Sequence, residues 1–100
     1  VEGRKFLPGI GVYSAWAWVK DNPNKYAAVM NLGPQPTVDP HSSSTLEVHL
    51  INENLDLRGN QLTIEPVKRL RGQQKFNSLK ELSHQIGLDS LLAKESLGIS

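Results

Sequence analysis

The sequence predicts a mainly β domain, a small barrel or sandwich of antiparallel strands, with α-helix confined to its C-terminal end. Three observations predict it. Short segments rich in aromatic and β-branched residues recur between turn signals from residue 11 to about residue 70. One of them, TLEVHLI at residues 45–51, alternates apolar and polar side chains. After Gly72 the apolar residues change from the period of a strand to that of a helix.

The first strand is expected over residues 11–20, GVYSAWAWVK, after a Pro8-Gly9 turn. Tyr13, Ala15, Ala17 and Val19 occupy one face and Val12, Trp16 and Trp18 the other. Two apolar faces imply burial on both sides, or an aromatic face lining a pocket. The DNPN sequence of residues 21–24 is a turn by composition, and residues 25–32 complete a hairpin. Residues 33–44 hold Pro34, Pro36, Pro40 and three consecutive serines, which predicts a long irregular segment. In the next strand Leu46, Val48 and Leu50 face one way, and Thr45, Glu47 and His49 the other. A polar stretch ends in a Gly59-Asn60 turn. A further strand covers residues 61–70, where Pro66, lacking a donor, marks an edge or a bulge. Ser78 with Glu81 three residues on has the pattern of a capping box. Leu79, Leu82 and Ile86 then form a helical apolar stripe. Gly87 is expected to interrupt it, with Asp89 capping a second helical stretch through Leu91, Leu92 and Leu97.

Composition bounds the function classes. One hundred residues suit one domain with a modest core. Hydrophobic residues at 38% and charged residues at 21% are an ordinary globular balance. A net charge of +1 supplies no general attraction to nucleic acid or to an acidic membrane. With no cysteine, disulfides and thiolate metal sites are excluded, which fits a reducing cytosol. No stretch approaches the roughly 20 apolar residues that span a bilayer. Residues 1–9 lack the shape of a signal peptide, and the start at Val1 reads as the edge of a piece cut from a longer protein.

Generic catalytic motifs are missing from the sequence: no Walker loop, no GxGxxG after a strand, no GxSxG. His41, His49 and His84 have no metal-ligand spacing. Glu47 is either a solvated carboxylate on the outside of a sheet or a general base carried on a rigid strand. Lys68, Arg69, Arg71 and Lys75 form either a solvated basic cluster or a phosphate clamp. Phe76 either caps the core or stacks on a flat ring.

Five strings taken together resemble one family: Gly11-Val12-Tyr13; Asn31-Leu32-Gly33 with Pro36-Thr37; Leu46-Glu47-Val48-His49-Leu50; Arg69-Leu70-Arg71; and Lys75-Phe76-Asn77-Ser78-Leu79. Their order and spacing, over roughly residues 7 to 86, are similar to riboflavin kinases. The likeness is greatest to the C-terminal kinase module of bacterial bifunctional riboflavin kinase/FAD synthetases.

The resemblance implies a six-stranded Greek-key β-barrel with a C-terminal helix. It implies transfer of the ATP γ-phosphate to the 5′-hydroxyl of riboflavin, giving FMN, with MgATP as co-substrate. By the same resemblance Glu47 is the catalytic base; Leu50, Asn52 and Arg58 lie on the ATP side; and Arg71, Gln74 and Phe76 contact the flavin. It implies a cytoplasmic enzyme acting on small molecules, continuous with an upstream adenylyltransferase domain, and not a nucleic-acid or membrane binder. Some positions depart from the pattern: Arg58 precedes Gly59 where tyrosine is usual, Gly72 replaces proline, and Val38 replaces phenylalanine. The family's Pro-Thr-Ala-Asn segment, whose threonine and asparagine hold magnesium, would lie upstream of Val1 with the first barrel strand. The 100 residues alone are therefore expected to have little kinase activity and an open sheet edge prone to pairing. The competing reading is a non-catalytic β-barrel that binds a flavin or a protein partner.

Overall fold

The computed structural model describes residues 9–33, 46–53, 55 and 59–99. Within them, four strands and one helix follow in order: β1 (Gly11–Val19), β2 (Tyr26–Leu32), β3 (Leu46–Leu50), β4 (Leu62–Arg71) and α1 (Leu79–Leu97). Residues 34–44 of the irregular segment expected at 33–44, Thr45 of the strand expected to follow it, and the expected ATP-side residue Arg58 lie outside the described residues.

All neighbouring strands are antiparallel, in the order β3-β2-β1-β4. Three strands joined in sequence, with the fourth returning beside the first, is the Greek-key order. The sheet has β3 and β4 at its margins among the described residues; its closure into a barrel is not part of the described contacts. Pro66 stands on the marginal strand β4, where a register shift falls between its partner Ala15 and Ser14. A proline is tolerated there because an edge or a bulge needs one ladder donor fewer.

β1 is central and buried on both sides, as its two apolar faces predict. On one face Val12, Ala27, Val29 and Ile51 pack with Ala93 of α1, with Trp16, Leu70 and Leu97 around them. On the other, Tyr13, Ala15 and Met30 form one cluster and Ala17, Ala28 and Leu50 a second. Between sheet and helix, the Ser14 and Ser96 hydroxyls meet at 2.5 Å. No buried side-chain polar atom of the described residues lacks a partner.

Gly11 begins β1 at φ 157°, and a Cβ there would stand 3.0 Å from the Arg71 carbonyl oxygen and 2.8 Å from Arg69 Nε. Glycine is thus favoured where the end of β4 crowds the start of β1.

α1 corrects the expected break. It runs through Gly87 for 19 residues. A mid-helix glycine costs about 1 kcal/mol relative to alanine, and contacts on its C-terminal side offset that. Asp89 is not a cap: it is buried, as is Ala93, and both face the sheet. The start matches expectation. The Ser78 hydroxyl accepts from the Glu81 amide at 3.1 Å. At the other end Gly98 adopts φ 74°, and the Gly98 and Ile99 amides bond to the Glu95 and Lys94 carbonyls, a Schellman closure. The apolar stripe also differs from expectation: Leu79 is 83% exposed, and Leu82 and Ile86 face a cleft instead of the core.

Candidate active-site cleft

Strand alternation decides which residues reach the cleft. Val12 of β1 pairs with Asn31 of β2 and Arg71 of β4, and Asn31 pairs with Glu47 of β3. Side chains of paired residues lie on one face, so all four share the face covered by α1. Between that face and the N-terminal half of α1 is a cleft of about 430 Å³, within the range of small-molecule sites. Val12, Val29, Phe76, Leu82 and Ile86 give it apolar walls; Asn31, Glu47, His49, Arg71, Asp89 and Ser90 supply its polar groups.

Glu47 is solvent-exposed at this cleft. It is therefore a carboxylate that keeps access to a ligand while its backbone is held by β2. His49, two residues on, shares its face.

Arg71 ends β4 and is locked. Its Nε and Nη2 donate to the two carboxylate oxygens of Asp89, each at 2.8 Å, and Nη1 donates to the Gly72 carbonyl at 2.9 Å. Gln85 Nε2 adds a 3.0 Å bond to Asp89 Oδ1. Burial alone would push the Asp89 carboxyl up, but the hydrogen bonds from Arg71 and Gln85, with the Arg71 charge, hold it below the usual carboxylate range. The Asp89 bond raises the Arg71 pKa further, against its burial, so the pair is ionised. The guanidinium carbon lies 6.0 Å from the centre of the Phe76 ring, near the outer limit of a cation–π contact. Residues 72–77, which follow β4, are tied back to the sheet where Gln73 Nε2 donates to Asn31 Oδ1 at 2.6 Å.

Three of the residues singled out from sequence, Glu47, Arg71 and Phe76, thus meet at one cleft. The others do not. Leu50 is buried with Ala17 and Ala28 on the opposite face. Asn52 stands in the turn after β3 at φ 61°, a left-handed conformation that asparagine tolerates better than most residues. Gln74 is exposed and does not line the cleft. The basic run disperses as well: Arg69 donates to the Ile10 carbonyl, and only Arg71 reaches the cleft. Asn31, His49 and Asp89 were missed as site residues. For His49 the signal was period-two alternation with Glu47; for Asp89, a distant pairing, there was none.

Among the described residues no group of three His, Cys, Asp or Glu side chains is placed to hold a metal ion. No helix of the described residues is long and apolar enough to cross a membrane.

Fold and cleft together define a Greek-key β domain with a cleft of small-molecule size edged by a carboxylate. Comparison with known proteins specifies the family. The family model for riboflavin kinase (flavokinase) matches residues 1–97, and the chain belongs to that family. Bifunctional riboflavin kinase/FMN adenylyltransferases are similar to it. That of Escherichia coli K12 is 40% identical over 72 residues, covering 72% of this chain and 23% of the relative. That of Bacillus subtilis is 40% identical over 86 residues, covering 83% and 26%. That of Buchnera aphidicola from Acyrthosiphon pisum is 36% identical over 98 residues, covering 96% and 31%. The matched region is therefore between 23% and 31% of the length of these relatives. A solved structure described as a macrolide-efflux protein from Streptococcus pneumoniae superposes with a TM-score of 0.76 at 23% identity, covering 89% of this chain and 28% of that one. At that identity the likeness speaks for the fold alone.

Proposed function

We propose that this chain is the riboflavin-phosphorylating module of a cytoplasmic flavin-synthesising protein. Its reaction is transfer of the ATP γ-phosphate to the riboflavin 5′-hydroxyl, yielding FMN and ADP. The observation that carries this reading is the position of Glu47, an accessible carboxylate at the edge of an apolar cleft that also holds Phe76.

The flavin ring would occupy the apolar walls, against Phe76, Leu82 and Ile86, with Arg71 beside it and Gln74 at the margin. Aromatic faces pack well on conjugated rings. The ribityl chain would then run toward Glu47. Glu47 accepts the proton of the 5′-hydroxyl as its oxygen bonds to the γ-phosphorus, and the bond to the ADP oxygen breaks. Phosphoryl transfer needs positioning and charge neutralisation more than covalent help, and a carboxylate on a strand supplies the first. Magnesium, when bound with ATP, neutralises phosphate charge. Leu50, Asn52 and Arg58 are assigned to the nucleotide side; the Leu50 side chain faces away, so its part would be played by its backbone. By likeness to the bifunctional relatives, the module is continuous with an adenylyltransferase domain.

Titrating riboflavin and following the quenching of its fluorescence tests the assignment. Saturable quenching is expected, weakened about tenfold by Phe76→Ala, a loss in line with one aromatic stacking contact. A folded chain that leaves riboflavin fluorescence unchanged would overturn it.

A further inference from the structure

The described cleft has an unequal charge balance. Two carboxylates, Glu47 and Asp89, face one guanidinium, Arg71. Asp89 takes both donors of one guanidinium edge, and the Gly72 carbonyl takes a third. Three of the five N–H donors of the guanidinium are thus engaged, and its charge is balanced by the Asp89 carboxylate. What remains uncompensated in the described lining is the negative charge of Glu47.

We propose that Asp89 is a specificity-determining residue: by neutralising and orienting Arg71, it makes the cleft favour an uncharged flavin alcohol over the phosphate ester that the reaction produces. This rests on the riboflavin kinase reading. Riboflavin is neutral, whereas a phosphate monoester carries nearly two negative charges above its second pKa of about 6. A cleft with free Arg71 would hold that ester through a bidentate, charge-assisted pair. With Arg71 committed to Asp89, the ester meets Glu47 without a compensating cation among the described residues. Release of the product is thereby built into the ion pair, and Asp89 acts through Arg71 without touching the reacting atoms.

The test measures binding of riboflavin and FMN to the chain by flavin fluorescence at pH 8, where the phosphate is fully ionised. The unsubstituted chain should bind riboflavin more tightly than FMN. Asp89→Asn should raise the ratio of FMN affinity to riboflavin affinity on the order of tenfold, the scale of one newly available charge contact. Asp89→Glu should restore the original preference. An unchanged ratio in a folded Asp89→Asn protein overturns the proposal and leaves Asp89 a structural residue. A second measurement needs no variant: raising salt should strengthen FMN binding, because it screens repulsion, and leave riboflavin binding flat. FMN binding that weakens with salt would also overturn it. If a folded chain binds neither flavin, the functional reading itself fails, a different outcome from riboflavin binding with an unaltered ratio.

Discussion

Asn31 on β2 and Glu47 on β3 are direct cross-strand partners, and both line the cleft. Gln73 donates to the Asn31 side chain at 2.6 Å, so the segment after β4 is fastened beside the carboxylate. A one-residue slip of β3 would turn Glu47 to the opposite face. The register of β2 with β3 is thus as much a part of the site as the carboxylate.

Replacing Glu47 by glutamine removes the proposed proton acceptor and keeps the shape. The rate of FMN formation should fall by about 10²- to 10⁴-fold, the usual contribution of a general base, with riboflavin affinity nearly unchanged. Steady-state turnover and fluorescence titration measure the two quantities. Turnover that survives the substitution would remove Glu47 from the role of base.

The ion pair between Arg71 and Asp89 joins β4 to α1, with the Asp89 side chain only 6% exposed and that of Arg71 20% exposed. Asp89→Ala leaves a partly buried guanidinium without its carboxylate. We expect a loss of about 2 kcal/mol, reduced from the range for fully buried pairs because Arg71 is partly solvated. For a domain of this size that lowers Tm by on the order of 10 °C. A melting temperature within about 2 °C of the original would mean the pair contributes little.

The same pair makes stability pH-dependent in a defined direction. The Asp89 carboxyl is held below the usual range in the folded chain. The unfolded chain therefore binds the proton more readily, and acid favours unfolding. The contribution is complete above the ordinary aspartate value of about 3.9 and is lost as pH falls through the lower folded value. Melting curves of the original chain and Asp89→Asn should run parallel near neutrality and converge in acid. A gap that stays constant down to about pH 2 would contradict the assignment.

Gly11 admits no side chain without movement of β4, since its Cβ would come within 3.0 Å of the Arg71 carbonyl oxygen. Gly11→Ala should destabilise by about 1–3 kcal/mol and loosen the segment that ends in Arg71. Thermal melting and hydrogen exchange at the Arg71 end of β4 would record both. The helix cap gives a milder case: Ser78→Ala should cost about 1 kcal/mol, and Ser78→Asp should cost much less. Equal losses for the two variants would show that the Ser78 bond to Glu81 is not what holds the helix start.

Local rules made much of this protein legible in its residues. Alternation in LEVHL put Glu47 and His49 on one face and Leu46, Val48 and Leu50 on the other; β3 obeys it, with Leu50 in the core and Glu47 at the cleft. The spacing of Ser78 and Glu81 marked the start of α1, and Pro66 marked the edge strand. Asp89 was not legible. An acidic residue after a glycine looks like a helix cap, and only the approach of Arg71, 18 positions earlier in the chain, makes it a buried ion-pair partner within a continuous helix. By itself the sequence determined the strands, the start of the helix and the face on which Glu47 stands, because periodicity and capping act over a few residues. Only the tertiary structure decided that Glu47, Arg71, Phe76 and Asp89 share one cleft. That depends on strand order and on how the helix lies across the sheet, which are set by burial between distant segments and carry no short-range signal.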